Sequence, residues 1–243
     1  MRYILLIIFS FSLVSCGTPL EAEPLPTPVS VSVAYPLYLQ PSADRVIECA
    51  IQQHPLSLFL TTSPLVQSGL PGPLVQIQLG GSIPDGSRAY QIGEEDISFI
   101  VNRDNPAAHL STERLLEIYS GKILHWDFGD HAFIEFMLYP EEHDLRSFVE
   151  SALPDMPRIS FRAEIVDTPK DVLFGVAYHL EGFGYVPSSW VDSLDEETQG
   201  MVKVLALEPE LAQSLTQPVL AIVAEPLSPE VHELLACLQQ PMD

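Results

Sequence analysis

Apolar residues along the chain recur with two alternating periods, one typical of strands and one typical of helices. Period-two or continuous apolar runs predict strands at 29–35, 56–61, 74–79, 97–101, 132–138, 159–166, 182–186 and 218–224. The run at 56–61 is continuous, which favours a buried strand. Apolar residues at helical spacing predict helices from residue 42, over 111–120, over 143–153, from residue 169 and from residue 229. Strands that alternate with helices favour an α/β fold of mainly parallel sheets covered by helices.

Short polar residues mark the predicted helix starts, because their side chains accept hydrogen bonds from the first free backbone N–H groups. Ser42 is the expected cap of the first helix, and Asp144 is the expected cap of the helix over 143–153. Thr168 precedes Pro169 and Asp171, which gives a cap, a proline at the first position and an acid in the first turn.

The N-terminus has the pattern of an export signal. Arg2 precedes an apolar stretch, Tyr3–Val14, that is too short to span a bilayer. Residues 13–17 read LVSCG and resemble the bacterial lipobox, which implies that Cys16 becomes the lipidated first residue after cleavage of the residues that precede it. The alternative is an ordinary signal peptide with an incidental cysteine. Residues 17–28 contain four prolines and predict an extended tether.

The charge balance narrows the choice of partners. The chain has 33 acidic and 11 basic residues, a formal net charge of −22. This balance argues against nucleic acid and against anionic lipid surfaces, since both need a basic face. It does not exclude an anionic ligand, because backbone N–H groups at helix N-termini can hold one. The sequence gives no sign of a cofactor.

The segment 91–129 carries the most specific pattern in the chain. A strand ends at Asn102, a helix runs from near Ser111 to Gly121, and Trp126 follows. This arrangement resembles the lobe-crossing segment of phosphate-type substrate-binding proteins of ABC transporters. Weaker matches to the same family are 181–186 and 217–220.

The resemblance implies a two-lobed fold of the type II periplasmic-binding-protein kind, with a solute bound between the lobes. Lobe one is expected at 29–97 plus 223–243, and lobe two at 98–222 with the crossing strands. Residues 97–102 and 218–223 are the expected antiparallel crossing strands of a hinge. The family also implies an extracytoplasmic, membrane-anchored monomer that delivers its solute to an ABC permease. The lipid alone would contact the bilayer.

The loops at which that family holds phosphate differ in this chain. Family members use Ser and Thr hydroxyls, helix N-termini and an Arg, because a tetrahedral dianion needs many short donors. Here the loop after the first strand, residues 34–38, has no Gly, Ser or Thr, and the lobe-two loop contains Glu141, Glu142 and Asp144. We therefore predict that the inherited phosphate loop is not retained, although phosphate and other oxyanions stay among the candidate solutes. The candidate ligand-binding residues are Tyr35, Gly80, Gly81, Ser82, Tyr139, Arg146 and Ser147.

Two cysteines remain besides Cys16. Cys49 and Cys237 are an even pair in an oxidising compartment, which permits a disulfide. Each lies on an apolar-periodic helix, so two buried free thiols are the alternative.

Other candidate chemistry is weak. His125, His131 and His143 lack the spacing of metal ligands, so no metal site is expected. The acidic runs 94–96 and 195–197 are interpreted as solvated turns. No nucleophile elbow or phosphate-binding loop is present, so an enzyme is not expected. The alternative function is a non-transporting lipoprotein that uses the same fold for a structural, sensory or protein-interaction role.

Overall fold

A computed structural model of the chain describes residues 29–52, 56–62, 72–128, 133–153 and 163–240. The predicted signal peptide, Cys16 and the tether lie outside the described residues. His131 and the start of the predicted strand 159–166 lie outside them as well. No helix within the described residues has the length and apolar character needed to cross a membrane.

Most predicted strands are present, several of them within one residue of their predicted ends. The strands are β1 (Val29–Ala34), β2 (Leu56–Thr61), β3 (Leu74–Leu79), β4 (Ser87–Asn102), β5 (His109–Leu110), β6 (Glu135–Leu138), β7 (Glu164–Ile165), β8 (Gly182–Pro187), β9 (Val202–Val204), β10 (Ala206–Leu207) and β11 (Thr216–Ala224). The prediction that 56–61 is buried is wrong, because β2 forms an edge of the sheet and leaves Phe59 45% exposed.

The strands form one large sheet with the order β2-β1-β3-β11-β4-β8-β6-β7, and β9 also pairs with β4. We define the first half-sheet as β2, β1, β3, β11 and residues 87–96 of β4. The second half-sheet consists of residues 97–102 of β4 with β8, β9, β6 and β7. Strand β1 is parallel to β2 and β3, and β6 is parallel to β7 and β8. Each half-sheet therefore has the parallel pairs that the alternating pattern predicted.

Strand β4 joins the two half-sheets. It is antiparallel to β11 over 87–96, and from Ile97 onwards it is antiparallel to β8. The antiparallel relation of the crossing strands agrees with the prediction, but the predicted extent is wrong. Residues 218–223 lie opposite 88–94 and not beside 97–102, because β4 is one continuous strand of 16 residues.

The interpretation of 94–96 as a solvated turn is also wrong. These residues continue the β4 ladder opposite 216–218 of β11. Glu95 is only 4% exposed, and its carboxylate accepts hydrogen bonds from the backbone N (3.0 Å) and the hydroxyl (2.7 Å) of Ser189. A buried carboxylate is tolerated here because hydrogen-bond donors offset part of its lost hydration.

The helices cover the half-sheets. They are α1 (Gln40–Gln52), α2 (Thr112–Tyr119), α3 (Asp144–Ala152), α4 (Pro169–Tyr178), α5 (Ser188–Asp192), α6 (Glu196–Gln199), α7 (Pro209–Ser214) and α8 (Pro229–Leu238). A short 3-10 helix, Leu37–Leu39, precedes α1. Helix α4 starts as predicted, with a reciprocal capping box between Thr168 and Asp171.

Two predicted caps are wrong. Ser42 does not cap α1, because the preceding 3-10 helix leads directly into a helix that begins at Gln40. Asp144 is the first residue of α3 rather than its cap. The imidazole Nδ1 of His143 accepts the hydrogen bond from the backbone N of Leu145 at 3.3 Å, in the way that Ser or Asp side chains usually do.

Helices α1 and α8 pack together against the first half-sheet and are covalently joined. Of the two alternatives that the sequence left open for Cys49 and Cys237, the structure has the disulfide, with Cα atoms 5.9 Å apart. The bond links residues 188 positions apart, and Cys49 is 4% exposed. It therefore fastens the first helix of the described chain to the last.

The segment 91–129 supports the second half-sheet. Asn102, at the end of β4, donates through Nδ2 to the carbonyl oxygens of Val176 (3.1 Å) and Ala177 (2.8 Å) in the last turn of α4. Its Oδ1 accepts from the backbone N of Asp104 at 3.0 Å. The indole N–H of Trp126 donates to the carbonyl of Glu181 at 3.0 Å. These contacts hold scaffold elements together.

Candidate functional site

A small cavity lies where the first and second half-sheets meet. It has a volume of about 90 Å³ and is lined by Ala34, Tyr35, Pro36, Tyr38, Gln76, Ile77, Gln78 and Asp144. The first seven of these residues end β1, follow it or belong to β3, whereas Asp144 opens α3 beside the second half-sheet. We call this space the cleft cavity. It lies at the carboxyl ends of parallel strands, where open α/β sheets usually bind ligands.

Two glutamines of β3 give the cleft cavity a polar wall. Gln76 and Gln78 are two residues apart, so their side chains leave the same face of the strand. The Nε2 of Gln78 donates to the carbonyl of Gly80 at 2.6 Å, and the Nε2 of Gln76 is 3.4 Å from Oε1 of Gln78. Sequence reasoning missed both residues, although two glutamines with period two in an apolar strand were a usable signal.

Tyrosines supply the rest of the wall. Tyr35 is 7% exposed and donates from its hydroxyl to Oε1 of Gln40 at 2.9 Å. Tyr38 is 5% exposed, and its carbonyl accepts a hydrogen bond of 2.8 Å from the indole N–H of Trp190, which follows β8. Burial raises the pKa of the Tyr38 phenol, and the negative charge of Asp144 raises it further. The phenol is therefore neutral at physiological pH and lines the cavity as a neutral donor.

Of the described residues that line the cleft cavity, Asp144 alone is charged. The adjacent His143 does not offset it, because burial lowers the pKa of the imidazole despite the nearby carboxylates. His143 also stacks on the ring of Tyr139, with ring centroids 4.5 Å apart. The electrostatic character of the cavity is thus neutral to negative.

The other residues predicted to bind ligand lie elsewhere. Arg146 is 9% exposed and donates to the carbonyl of Tyr139 (2.9 Å) and to the carboxylate of Glu150 (2.5 Å). Tyr139 is fully buried, and its hydroxyl donates to the carbonyl of Tyr185. Ser147 is an exposed residue of α3. Of the seven predicted residues, only Tyr35 is part of the cavity wall.

The glycine turn after β3 borders the wall without forming it. The backbone N of Gly80 donates to the carbonyl of Pro218 at 2.8 Å, so that N–H is not free for a ligand. Gly80 has a φ of +49°, and a Cβ there would lie 2.7 Å from Oε1 of Gln217. Gly81 and Ser82 are exposed. The turn favours glycine because of its positive φ angles, whereas the flexible side chain of Gln217 could move away from a Cβ at Gly80.

Comparison with solved structures shows which proteins share this architecture. A phosphate ABC transporter substrate-binding protein of Clostridium perfringens, solved with bound phosphate, is 16% identical with a TM-score of 0.69, over 86% of this chain and 92% of that chain. An ABC-type phosphate transport receptor of Vibrio cholerae is 17% identical with a TM-score of 0.62, over 86% and 93%. The CcmR regulatory domain of Synechocystis, in complex with 2-PG, is 12% identical with a TM-score of 0.63, over 86% and 95%.

These similarities define the fold. The chain has the two-lobed α/β fold of type II periplasmic-binding-protein-like structures, and the predicted fold class is confirmed. No family model matches the sequence, and no curated protein matches it. The neighbours include binding proteins and regulatory domains, so the fold by itself is compatible with both uses.

Proposed function

We propose that the chain is an extracytoplasmic solute-binding protein that holds a small molecule in the cleft cavity. The observation that supports this proposal is the composition of the cavity wall. The end of β1, strand β3 and the start of α3 all contribute residues to it. Segments of both half-sheets thereby converge on one space. A ligand that contacts both would stabilise their closed arrangement, as in hinge-closing binding proteins.

The charge of the cavity wall indicates which kind of solute the cleft cavity can bind. At about 4 Å and an effective dielectric constant of roughly 20, one carboxylate repels a unit negative charge by about 4 kcal/mol. Asp144 is exposed, so it would impose part of this cost on phosphate, and the guanidinium of Arg146 is engaged by Tyr139 and Glu150. Neutral or cationic solutes with hydrogen-bonding groups are therefore better matched to the cavity than a phosphate dianion.

The proposal includes the division into lobes and the setting of the protein. Lobe one comprises 29–97 and 223–243, and lobe two comprises 98–222 apart from residues 216–222 of β11, which pair with β3 and β4 in the first half-sheet. The signal at 1–16 leads to lipid attachment at Cys16, and residues 17–28 tether a monomer to the membrane. An ABC permease receives the solute. The support for this setting is the lipobox-like sequence together with the fold shared with ABC substrate-binding proteins.

One observation favours a second candidate function, a sensory or protein-interaction lipoprotein that does not transport. The cleft cavity measures only about 90 Å³, and the buried Tyr38 is fixed by the hydrogen bond from Trp190 to its carbonyl and by the ring of His143, whose centroid is 5.6 Å from its own. A cleft that its own side chains fill has little room for a solute. Solved regulatory domains with this fold show that it also serves proteins other than transport receptors.

A thermal-shift screen distinguishes the two functions. Protein without residues 1–16 is tested against phosphate, other oxyanions, amino acids, amines and sugars. A ligand present at 100 times its Kd should stabilise the protein by about 2.7 kcal/mol. We expect no shift with phosphate and a shift with at least one neutral or cationic solute. A clear shift with phosphate would overturn our interpretation of Asp144, and no shift with any compound would favour the second function.

The variant Asp144→Asn tests whether the solute binds in the cleft cavity. We expect it to weaken binding of a cationic solute about tenfold or more, since a hydrogen bond to a charged group contributes about 1.5–3 kcal/mol. The matched control is Glu141→Gln, which removes the same charge from an exposed residue three positions away that does not line the cavity. Equal effects of the two variants in isothermal titration would contradict binding at this site.

A further inference from the structure

A second and larger cavity lies away from the cleft cavity and shares no residue with it. Its volume is about 340 Å³, which is sufficient for a small organic molecule. Its apolar lining includes Pro41 of α1, Ile92 of β4, Val219 of β11 and Leu238 of α8. Ser189 and Asp192 of α5 complete the opposite wall. We call this space the Glu95 cavity, after its most buried charged residue.

Glu95 is fixed in place within this wall. The backbone N and the hydroxyl of Ser189 each donate to one of its two carboxylate oxygens. A carboxylate can accept about four hydrogen bonds, so two acceptor positions remain after these contacts. Burial raises the pKa of the Glu95 carboxyl, and the negative charges of Asp96 and Asp192 add to this shift. A positive charge beside the Glu95 carboxylate would offset the unfavourable free energy of keeping that group ionised while it is buried.

The rim of the cavity is acidic, and the arginine of the lining neutralises it only in part. Asp44, Glu48, Glu94 and Asp192 are exposed carboxylates along the opening. Among the described residues of the lining, Arg45 is the only basic one, and its guanidinium donates to two backbone carbonyls, those of Ile92 (2.9 Å) and Gln240. Among the ion pairs of the described residues, none involves Arg45. The cavity thus combines an apolar floor with a lining of net negative charge, because five carboxylates face the single guanidinium of Arg45.

Gly93 leaves open space in this cavity. A Cβ built on Gly93 meets no atom within 4 Å, although Gly93 lies in β4 opposite Val219. Its φ is outside the range that disfavours side chains, so the backbone does not itself require glycine. A larger side chain at this position can therefore fill the cavity without steric conflict at its first atom.

We propose that the Glu95 cavity is a second ligand site, which takes an organic cation with a primary ammonium group and a short apolar body. The ammonium group binds the Glu95 carboxylate, and the apolar body lies on Ile92, Val219 and Leu238. Charge complementarity selects the cation, and the apolar floor excludes a fully hydrated inorganic ion. Because β4 continues from Glu95 into the second half-sheet, and α5 follows β8, the ligand would connect elements on both sides of the crossing.

Binding of n-hexylammonium to the purified protein tests the proposal, with hexanol and hexanoate as uncharged and negatively charged analogues. Isothermal titration and thermal shift are measured at pH 7.5 and low salt. We expect hexylammonium to bind, hexanol to bind at least tenfold more weakly, and hexanoate not to bind. Equal binding of hexylammonium and hexanol would show an apolar cavity without cation selection and would overturn the proposal, as would no binding of hexylammonium.

Two substitutions locate the site. Glu95→Gln keeps the shape of the side chain and should reduce hexylammonium affinity about tenfold, with Glu197→Gln as the control for loss of a charge at an exposed position. Gly93→Leu fills the cavity without changing any charge and should abolish binding, with Gly93→Ala as its conservative counterpart. Circular dichroism and unfolding midpoints establish that the variants are folded. Affinity unchanged in both E95Q and G93L would overturn the proposal, because it would place the cation elsewhere on an acidic surface.

Discussion

At the scale of single residues, Asn102 explains why the segment 91–129 carries so specific a sequence pattern. The last carbonyl groups of a helix have no partner within the helix. The amide of Asn102 supplies two donors to the last turn of α4, and its oxygen accepts from the backbone of Asp104. One side chain thus ends a strand, completes a helix and shapes a turn.

Replacement of Asn102 should lower the free energy of unfolding. We expect Asn102→Ala to cost about 1–3 kcal/mol, since buried acceptors lose their donors. Asn102→Asp keeps the acceptor for Asp104 but has no donor for the α4 carbonyls, so it should be at least as destabilising. Urea unfolding measures both, with the exposed Asp104→Asn as control. Wild-type stability of N102D would contradict the role of the two donors.

At the scale of elements, the start of α3 determines the character of the cleft cavity. His143 caps the helix, so Asp144 is left in the first turn, where it lines the cavity. If Asp144 were the cap, its carboxylate would be engaged by the helix backbone. Because His143 rather than Asp144 caps the helix, the carboxylate of Asp144 is left at the cleft cavity.

Because a histidine caps α3, the stability that this cap contributes should depend on pH. At pH 8 we expect His143→Ala to be less stable than the wild type by about 0.5–1 kcal/mol. The folded-state pKa of His143 lies below the ordinary value of 6.5, so the cap contributes fully above pH 6.5. Its contribution is lost as pH falls from 6.5 through the folded-state pKa, because a protonated Nδ1 cannot accept a hydrogen bond.

Measuring the free energy of unfolding of the wild type and of His143→Ala at pH 8 and at pH 5 tests this expectation. The control variant His143→Asn should cap the helix at both pH values. A pH-independent cost of H143A would contradict this.

At the scale of the whole molecule, the chain leaves the first half-sheet along β4 and returns along β11. Helices α1 and α8 therefore come from opposite ends of the described chain and yet pack together. The Cys49–Cys237 disulfide closes this path across 188 positions. A cross-link that encloses most of the fold restricts the unfolded chain strongly.

Removal of the disulfide should have a global effect. We expect Cys49→Ala with Cys237→Ala to lower the free energy of unfolding by about 2–5 kcal/mol. Urea unfolding of the wild type with and without dithiothreitol should reproduce this difference, whereas the reductant should not affect the double variant. Equal stabilities of the oxidised wild type and the double variant would contradict a stabilising role of the bond.

The sequence predicted the parts of the fold that depend on local pattern. The strands at 29–34 and 74–79 and the Thr168 cap follow from period and capping chemistry within a few residues. Arg146 was assigned to ligand binding although its partners are near in sequence, since Glu150 lies one helical turn further on and Tyr139 seven positions before it. Glu95 could not be placed from local pattern, because its donors belong to Ser189, 94 positions away. A partner so distant in sequence leaves no local signal.

Strand β1 has a direction, and this direction has a consequence at the cell surface. It begins at Val29 and ends at Ala34, which is part of the wall of the cleft cavity. Six residues of strand separate the two ends by roughly 17 Å. A tether that enters at Val29 would therefore hold the protein by the edge remote from the cavity. If the proposed lipid at Cys16 anchors the protein, the wall of the cleft would lie farther from the point of attachment than Val29 does, and a partner in the same bilayer would reach it when the protein tilts on its tether.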